Sequence, residues 1–309
     1  MANVQGKTII TGADGQFGSS VAKGILKTVA PVNLIFTSPN PEALDEYKKL
    51  GVDVRKADFN SVESIKNAFE GGEQFFLVSM PIIGEERVQM HKNAVDGAVA
   101  AGVKKIVYTS FLGAGDDENP ALVTVDHRIT EKYIQQSGLK WNFMRDSQYF
   151  ESLLRYGLPD ALNKGEWIFN YGDGKCAFIS REDCAQTAVA LLLGKGEDNT
   201  TYDVTGPELL SADDIVQITT EITGRPLRFV NKTDEEMYAL WDSLGVPRNT
   251  DQGMKNSPIP WCSDDMVTGG RALREGLMAV LSDDVEKLTG QKRKTIREMI
   301  QQAYDRGEF

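Results

Sequence analysis

Histidine and cysteine are scarce in this chain. Only His91 and His127 occur among 309 residues, and the three cysteines, Cys176, Cys184 and Cys262, show no Cys-x-x-Cys spacing. Zinc sites and Ser-His-Asp hydrolase sites need more of these residues or a recognisable spacing around them. An odd number of widely spaced cysteines also makes a poor disulfide framework. We therefore expect no metal site and no disulfide, and we interpret the thiols as buried or idle groups in a reducing cytoplasm.

Positive charge and long apolar runs are lacking too. Lys and Arg number 34 against 45 Asp and Glu, which gives a formal net charge of −11. A surface of this sign repels phosphate backbones and anionic lipid, so nucleic acid and membranes are not expected partners. No apolar run approaches the roughly 20 residues of a bilayer span, and residues 1–7 do not resemble a secretory signal. We expect a cytoplasmic monomer or homodimer.

What the chain does have, close to its start, is a glycine motif after an apolar strand. Residues 7–10 run into a turn with glycines at positions 12, 15 and 18. Gly12 favours a tight turn, Gly15 lets a pyrophosphate approach the main chain, and Gly18 lets the next helix pack closely on the strand. The helix N-terminus offers free N–H groups to phosphate. This context predicts a dinucleotide site with contacts from Thr11, Gly12, Gly15, Gln16, Phe17 and Gly18.

Strands and helices alternate through about residue 150. Six strands are predicted, near 7–11, 32–37, 52–58, 74–79, 104–110 and 140–145. Longer helices are predicted over 85–101 and 122–136. Alternation of this kind demands an α/β fold with a doubly wound parallel sheet, the Rossmann arrangement.

The alternation stops beyond about residue 150, which indicates a second unit. We predict an NAD(P)-binding domain over 1–155, to which 180–206 returns. Residues 156–179 and 207–309 are predicted to form a smaller, mainly helical substrate domain.

The carboxyl ends of the strands supply the remaining candidate cofactor contacts. The second strand ends at Thr37 and Ser38 rather than at Asp or Glu. Hydroxyls there favour a ribose 2′-phosphate, so NADP(H) is preferred and NAD(H) remains possible; the alternative is a corner that only turns the chain. Asp58 could accept from the adenine amino group with Phe59 beside the ring, or be an exposed loop carboxylate. Further loop candidates are Ser79, Met80, Pro81 and Phe150.

Several segments resemble the NmrA-like branch of the extended short-chain dehydrogenases/reductases. They are 11–18 (TGADGQFG), 101–110 (AGVKKIVYTS), 126–131 (DHRITE), 180–183 (SRED) and 204–208 (VTGPE). The resemblance covers most of the chain and is weakest after about residue 230. It implies either a reductase of quinones, dyes or unsaturated carbonyl compounds, or a catalytically silent NADP sensor that binds a transcription factor.

The resemblance also locates the positions of the usual catalytic residues. Ser110 occupies the serine position, but Val123, His127 and Glu131 stand where Tyr, Lys and Glu are expected. Valine cannot donate a proton, so the standard carbonyl-reductase machinery is missing. His127 is predicted to contact the nicotinamide ribose or to donate a proton, or else to be a surface histidine paired with Glu131. Tyr149 is a candidate replacement donor.

Ser110 and the loop after the sixth strand each allow two interpretations. Ser110 could bond cofactor or substrate, or be an ordinary strand-end serine. Tyr149 and Phe150 could line the site, or begin a helix with both rings in the core. We predict direct hydride transfer from NAD(P)H to a small aromatic or conjugated carbonyl compound. The alternative is a nucleotide-binding redox sensor that reports to a protein partner.

Overall fold

A seven-stranded parallel sheet forms the centre of the molecule. The computed structural model describes residues 6–309. The strands of this sheet are β1 (Lys7–Ile10), β2 (Leu34–Ser38), β3 (Asp53–Lys56), β4 (Gly72–Leu77), β5 (Lys105–Phe111), β6 (Lys140–Asp146) and β9 (Thr200–Val204). Central strands such as β2 are buried along their whole length because helices cover both faces. The predicted doubly wound α/β fold is confirmed.

The order of the strands places a ligand crevice beside β1. The order across the sheet is β3-β2-β1-β4-β5-β6-β9, so the chain moves outward on one side of β1 and then outward on the other. The reversal lies between β1 and β4, whose carboxyl ends carry the glycine turn and the loop that begins at Val78. Ligands of open α/β sheets bind at such a point.

Helices cover both faces of the sheet. Those of the sheet layer are α1 (Gln16–Ile25), α2 (Asp45–Lys49), α3 (Val62–Phe69), α4 (Glu85–Ala100), α5 (Leu122–Gln136) and α8 (Arg181–Leu192). One apolar core lies under α1 and α8, and another lies under α3, α4 and α5. The predicted helix 122–136 agrees with α5, and a 3-10 turn at Pro41–Leu44 precedes α2.

The second unit is built on a separate apolar core. Its strands form two small sheets, β7 (Glu166–Phe169) with β11 (Arg228–Asn231), and β8 (Lys175–Cys176) with β10 (Leu210–Ser211). Its helices are α6 (Phe150–Tyr156), α7 (Leu158–Lys164), α9 (Ala212–Thr223), α10 (Asp234–Ser243), α11 (Ser263–Arg274) and α13 (Ile296–Asp305). The chain departs from the predicted division at α12 (Asp284–Thr289), because Val285 and Leu288 join the core under α1 and α8.

Candidate active site

The turn after β1 has the geometry of a phosphate-binding loop. Gly12 has φ +56°, and a Cβ on Gly18 would collide with the Gly12 carbonyl oxygen, so both positions require glycine. Gly15 is exposed, and its N–H donates to the Gly12 carbonyl at 2.9 Å. Helix α1 begins at the next residue without a side-chain cap, which leaves its first N–H groups for a ligand. The turn therefore suits a pyrophosphate.

The other residues of the motif divide between packing and exposure. The Thr11 hydroxyl donates to the carbonyl oxygen of Phe76 at 2.9 Å, and Thr11 is fully buried. Its side chain fastens β1 to β4, which corrects the expectation that it contacts cofactor. Phe17 is mostly buried, with its ring edge-on to Phe76 and Tyr149 at centroid distances of 5.6 and 5.9 Å. Gln16 is exposed at the mouth of the turn.

The corner after β2 carries hydroxyls and no carboxylate. The Ser38 hydroxyl accepts a hydrogen bond from the Asn40 N–H at 2.9 Å, so it supports the turn. Thr37 is fully buried, and its hydroxyl has no partner within residues 6–309. Its carbonyl accepts from the Ala13 N–H at 3.1 Å and joins this corner to the glycine turn. Positions 37 and 38 carry no acidic side chain, so no carboxylate there repels a 2′-phosphate.

In the loop after β3, Asp58 matches the alternative of an exposed loop carboxylate. That carboxylate is exposed, and its Oδ1 accepts from the backbone and the side-chain amide of Asn60 at 2.9 and 3.1 Å. Phe59 is 8% exposed and packs into the core under α3 and α4. The expectation that its ring lies against adenine is corrected, because the ring faces the interior.

The loop after β4 is held by hydrogen bonds from its neighbours. The Ser79 N–H donates to the Thr109 hydroxyl at 2.7 Å, and the Met80 N–H donates to His91 Nε2 at 3.1 Å. Met80 stays partly exposed and Pro81 exposed, so both can meet a ligand. The Ser79 hydroxyl is buried without a hydrogen-bond partner in the described chain.

His127 is buried at the carboxyl end of β5. It is 5% exposed, and its ring is stacked with that of Phe111, the last residue of β5, at a centroid distance of 6.1 Å. The hydroxyl of Tyr108 lies 2.8 Å from His127 Nδ1. The opposite nitrogen, Nε2, makes no hydrogen bond within the described part of the chain. The alternative of a surface histidine paired with Glu131 is wrong.

Burial keeps both histidines neutral at physiological pH. Loss of solvation lowers the pKa of His127 well below 6.5, and the Arg87 guanidinium and His91 lower it further. Burial and Arg87 likewise lower the pKa of His91 to about 3. His127 therefore offers a neutral N–H group rather than an imidazolium.

Ser110 is part of a buried ionic network. Its hydroxyl donates to Glu131 Oε1 at 2.5 Å, and Glu131 also accepts from Arg145 Nε and Nη2 at 3.0 and 2.7 Å. Ser110 and Arg145 are direct partners in the β5–β6 register, which brings both to the same carboxylate on α5. Ser110 is 3% exposed. This geometry favours the interpretation of Ser110 as a structural serine.

The hydroxyl of Tyr149 donates a hydrogen bond to a buried carboxyl group. Tyr149 Oη donates to Asp146 Oδ2 at 2.6 Å. Burial raises the pKa of Asp146 to about 8, and burial together with Asp146 raises the pKa of Tyr149. The expectation that Tyr149 replaces the missing donor is corrected, because its hydroxyl is directed at Asp146. Phe150 is fully buried beside Phe178 in the core of the second unit, so its assignment to the cofactor is also wrong.

The second unit reaches the start of α5, where the tyrosine position lies. The Leu122 N–H donates to Thr268 Oγ1 at 3.0 Å, so α11 caps α5. Val123 is partly buried against the core of the second unit. A Tyr-x-x-x-Lys spacing does occur elsewhere, at Tyr171 and Lys175, but it spans the turn between β7 and β8 rather than a helix.

Comparison with known proteins identifies the family. The family model described as NmrA-like matches residues 5–259. The chain belongs to the NmrA-like family. This result confirms the resemblance found in the sequence.

Two reductases are similar to this NmrA-like chain over most of its length. Quinone oxidoreductase 2 of Escherichia coli (strain K12) is 32% identical over 238 residues, 77% of this chain and 82% of its own. Its structure complexed with NADPH has a TM-score of 0.87 at 28% identity, covering 96% of this chain and 99% of that one. Triphenylmethane reductase of Citrobacter sp., complexed with NADP(H), has a TM-score of 0.84 at 27% identity, covering 96% and 100%.

A negative transcriptional regulator, NmrA in complex with NADP, is more remote. It has a TM-score of 0.71 at 17% identity and covers 98% of this chain and 97% of its own. At that identity the likeness shows the fold alone.

Sequence reasoning about this NmrA-like chain missed two residues of the site. The motifs of the sequence point to neither Tyr108 nor Arg87. Arg87 is 7% exposed and lies 3.5 Å from Asp126, with Nε lacking a hydrogen-bond partner in residues 6–309. A signal for Tyr108 was present, since a tyrosine on a central, wholly buried strand needs a partner for its hydroxyl.

Neither a metal-binding cluster nor a membrane-spanning helix is found among the described residues of this family member. No group of three His, Cys, Asp or Glu side chains within 6–309 could hold a metal ion. In the same part of the chain, no helix combines the length and the apolar character needed to cross a bilayer. The three cysteines are free and buried.

Proposed function

We propose that this protein is an NADPH-dependent reductase that delivers hydride directly to a quinonoid or otherwise conjugated carbonyl compound. The observation that supports the proposal has two parts: the usual catalytic tyrosine is absent, and a neutral histidine is present. Val123 stands where the acid is expected, Tyr149 is bound to Asp146, and the neutral ring of His127 has only Nδ1 in a hydrogen bond within the described chain. The name of quinone oxidoreductase 2 supports a quinonoid acceptor, and that of triphenylmethane reductase supports a conjugated aromatic acceptor more broadly.

The described residues fit a bound NADP(H). Gly12, Gly15 and the uncapped start of α1 would hold the pyrophosphate, and the corner at Thr37 and Ser38 carries no acid against a 2′-phosphate. When bound, the nicotinamide would supply two electrons and a proton together, as hydride. NADP(H) is the preferred cofactor and NAD(H) a possible one.

The protein's own part in the chemistry is to position and to stabilise. A conjugated acceptor spreads the incoming negative charge, so a hydrogen bond from neutral His127 is enough to hold its oxygen. A simple ketone becomes a localised alkoxide and depends on an acid that can deliver a full proton. Met80 and Phe111, both partly exposed, give the acceptor apolar contacts near His127.

The decisive experiment is a panel of acceptors followed by NADPH absorbance, with NADH in parallel. Quinones, conjugated enones and cationic dyes are the test acceptors, and unconjugated ketones of similar size are the controls. We expect turnover of the first group, and ketone rates lower by about 10²-fold or more. Rapid, stereoselective reduction of an unconjugated ketone would contradict the mechanism. Tight NADPH binding with no turnover of any acceptor would favour the redox-sensor alternative.

The setting proposed for this activity is the cytoplasm. Three free, buried thiols and an acidic chain suit a reducing compartment, and the protein would act there as a monomer or homodimer on a small aromatic substrate. Size-exclusion chromatography with light scattering distinguishes the two oligomeric states.

A further inference from the structure

A network of hydrogen bonds that begins at the loop after β4 includes His91, Tyr108 and His127. It starts at the backbone N–H of Met80, which donates to Nε2 of His91 at 3.1 Å. A backbone amide can only donate, so His91 Nε2 must carry a lone pair and no proton. The proton of the neutral ring therefore lies on Nδ1.

The second link uses the proton on His91 Nδ1. That nitrogen lies 3.0 Å from the hydroxyl of Thr130, which donates its own proton to the carbonyl oxygen of Asp126 at 2.8 Å. His91 Nδ1–H thus donates to Thr130. The donor and the acceptor are therefore assigned in each hydrogen bond from Met80 to Asp126. Tyr108 Oη lies 3.4 Å from the same nitrogen and cannot donate to it, because that nitrogen is protonated.

The last link determines the state of His127. Of the two histidine contacts of Tyr108, the shorter is the one of 2.8 Å to His127 Nδ1. The Tyr108 hydroxyl also contacts the hydroxyls of Thr130 and Ser79. Thr130 already donates to the Asp126 carbonyl and the Ser79 hydroxyl can donate to Tyr108. We therefore assign the Tyr108 proton to His127 Nδ1, at 2.8 Å, which then carries the lone pair. The proton of His127 lies on Nε2, the nitrogen without a hydrogen bond among the described residues. The two histidines of this protein therefore hold opposite tautomers.

We propose that Tyr108 is a positioning residue that fixes His127 as its Nε2–H tautomer, so that His127 presents a neutral hydrogen-bond donor to the acceptor oxygen. The inference deepens the proposed function and rests on it for the identity of the acceptor. The tautomers themselves follow from the hydrogen bonds alone. His127 is the residue that touches the acceptor, and Tyr108 acts through it.

The electrostatic surroundings indicate a donor rather than a proton relay. Arg87 and His91 from α4 lower the pKa of His127, and burial raises the pKa of Tyr108 far above 10. Asp126 pairs with Arg87 at 3.5 Å, and Asp265 from α11 also interacts with the guanidinium. A proton passed from His127 would leave a buried imidazolate or tyrosinate, and both are costly. With NADPH bound to supply hydride, His127 Nε2–H would hold the oxyanion of the acceptor, and the proton that completes the product would come from water.

Nuclear magnetic resonance of imidazole nitrogens tests this directly, since the chain has only two histidines. Protein labelled with ¹⁵N-histidine should show one ring protonated on Nδ1 and one on Nε2. The set of signals that is lost in His127→Gln belongs to His127, and we expect it to be that of the ring protonated on Nε2. Neither ring should titrate between pH 6 and 8. A His127 ring protonated on Nδ1, or one that gains a second proton in this range, overturns the proposal whether or not any acceptor is reduced.

Two matched tyrosine variants test the positioning role. Tyr108→Phe removes the donor to His127 Nδ1, while Tyr133→Phe removes a hydroxyl that bonds Asp96 at the edge of α5. In Tyr108→Phe we expect exchange between the two His127 tautomers and a fall in kcat for a quinone of about 10-fold, with NADPH affinity within about twofold. Tyr133→Phe should leave both unchanged.

The possible outcomes separate the two proposals. A single Nε2–H tautomer and unchanged kcat in folded Tyr108→Phe would show that Tyr108 does not position His127. If Tyr108→Phe does not fold, the wild-type tautomers still test the assignment. Opposite tautomers in a protein that reduces no acceptor would leave the hydrogen-bond chain standing and remove the proposed function.

Discussion

Tyr149 Oη donates a hydrogen bond of 2.6 Å to Asp146 Oδ2, and Asp146 is 1% exposed at the end of β6. The second oxygen of that carboxyl group, Oδ1, has no hydrogen-bond partner within the described chain. A carboxyl group in this setting is more stable with its proton than without it. The pair therefore couples the protonation of the protein to its stability.

The first prediction concerns that coupling. The folded pKa of Asp146, about 8, exceeds the ordinary unfolded value, so its stabilising contribution is complete below about pH 4. It is lost as pH rises toward 8, by at most about 1.4 kcal/mol per pH unit. Asp146→Asn stays neutral and should remove this slope, whatever constant offset it introduces. Urea unfolding at pH 5.5, 6.5 and 7.5 measures it.

The control for Asp146 is an exposed carboxylate. Asp160 on α7 pairs with Lys164 across one helical turn, and both side chains are more than 60% exposed. Asp160→Asn should change the free energy of unfolding by less than about 0.5 kcal/mol at every pH. Equal pH slopes in wild type and Asp146→Asn would contradict the assignment of a protonated Asp146.

A second prediction tests the glycine turn. Gly15 has φ −78° and ψ 168°, which valine adopts readily, and a Cβ there would lie 3.2 Å from the Gly12 carbonyl oxygen. Gly15→Val should therefore fold, yet place a branched side chain over the N–H groups at the start of α1. We expect the Kd for NADPH to rise at least about 10-fold, measured by calorimetry. Unchanged affinity in a folded variant would refute the site.

The matched control for Gly15 lies in the second unit. Gly269 on α11 has open space around its Cβ position, and its φ is not in the left-handed region. Gly269→Val adds the same side chain without approaching the glycine turn, so its Kd for NADPH should match the wild type. Gly18 is unsuitable, because any Cβ there collides with the turn itself.

A third prediction concerns the choice between NADP(H) and NAD(H). Ser38→Asp keeps an oxygen that can accept from the Asn40 N–H and adds a negative charge at the corner after β2. It should shift the affinity ratio toward NAD(H) by about 1 to 3 kcal/mol. Ser38→Asn retains the turn without the charge and should leave the ratio within about threefold. Tighter binding of NADH than NADPH by the wild type would show that this corner was misinterpreted.

A fourth prediction separates Ser110 from the serine of ordinary short-chain reductases. Its hydroxyl is bonded to Glu131, so Ser110→Ala should lower the free energy of unfolding by about 1.5 to 3 kcal/mol, the scale of a hydrogen bond to a charged group. Because the hydroxyl does not face the acceptor, kcat for a quinone should stay within about threefold. A fall of about 10²-fold or more with stability unchanged would assign Ser110 a catalytic role instead.

The fold could be predicted from the sequence because the signals for it are local. A glycine turn after an apolar strand, and strands alternating with helices, can each be recognised from a short window. The return of Val285 and Leu288 to the core beside α8 could not be seen, because nothing near them in sequence specifies a partner about 100 residues away.

The site was only partly predictable for a related reason. Ser110, Glu131 and His127 could be picked out as candidates from the sequence, but their partners depend on the register of the sheet. Ser110 meets Arg145 because β5 and β6 align them, and no spacing along the chain encodes that alignment. A shift of one residue would turn Tyr108 away from His127.

The late position of β9 has a consequence during synthesis. The edge of β6 pairs with β9, yet residue 200 leaves the ribosome more than 50 residues after residue 146. At roughly 5 to 20 residues per second, the unpaired backbone N–H and C=O groups on this edge of β6 wait several seconds for their partners. An unpaired edge invites pairing with other chains, so nascent molecules stalled in this interval should be the species most in need of a chaperone.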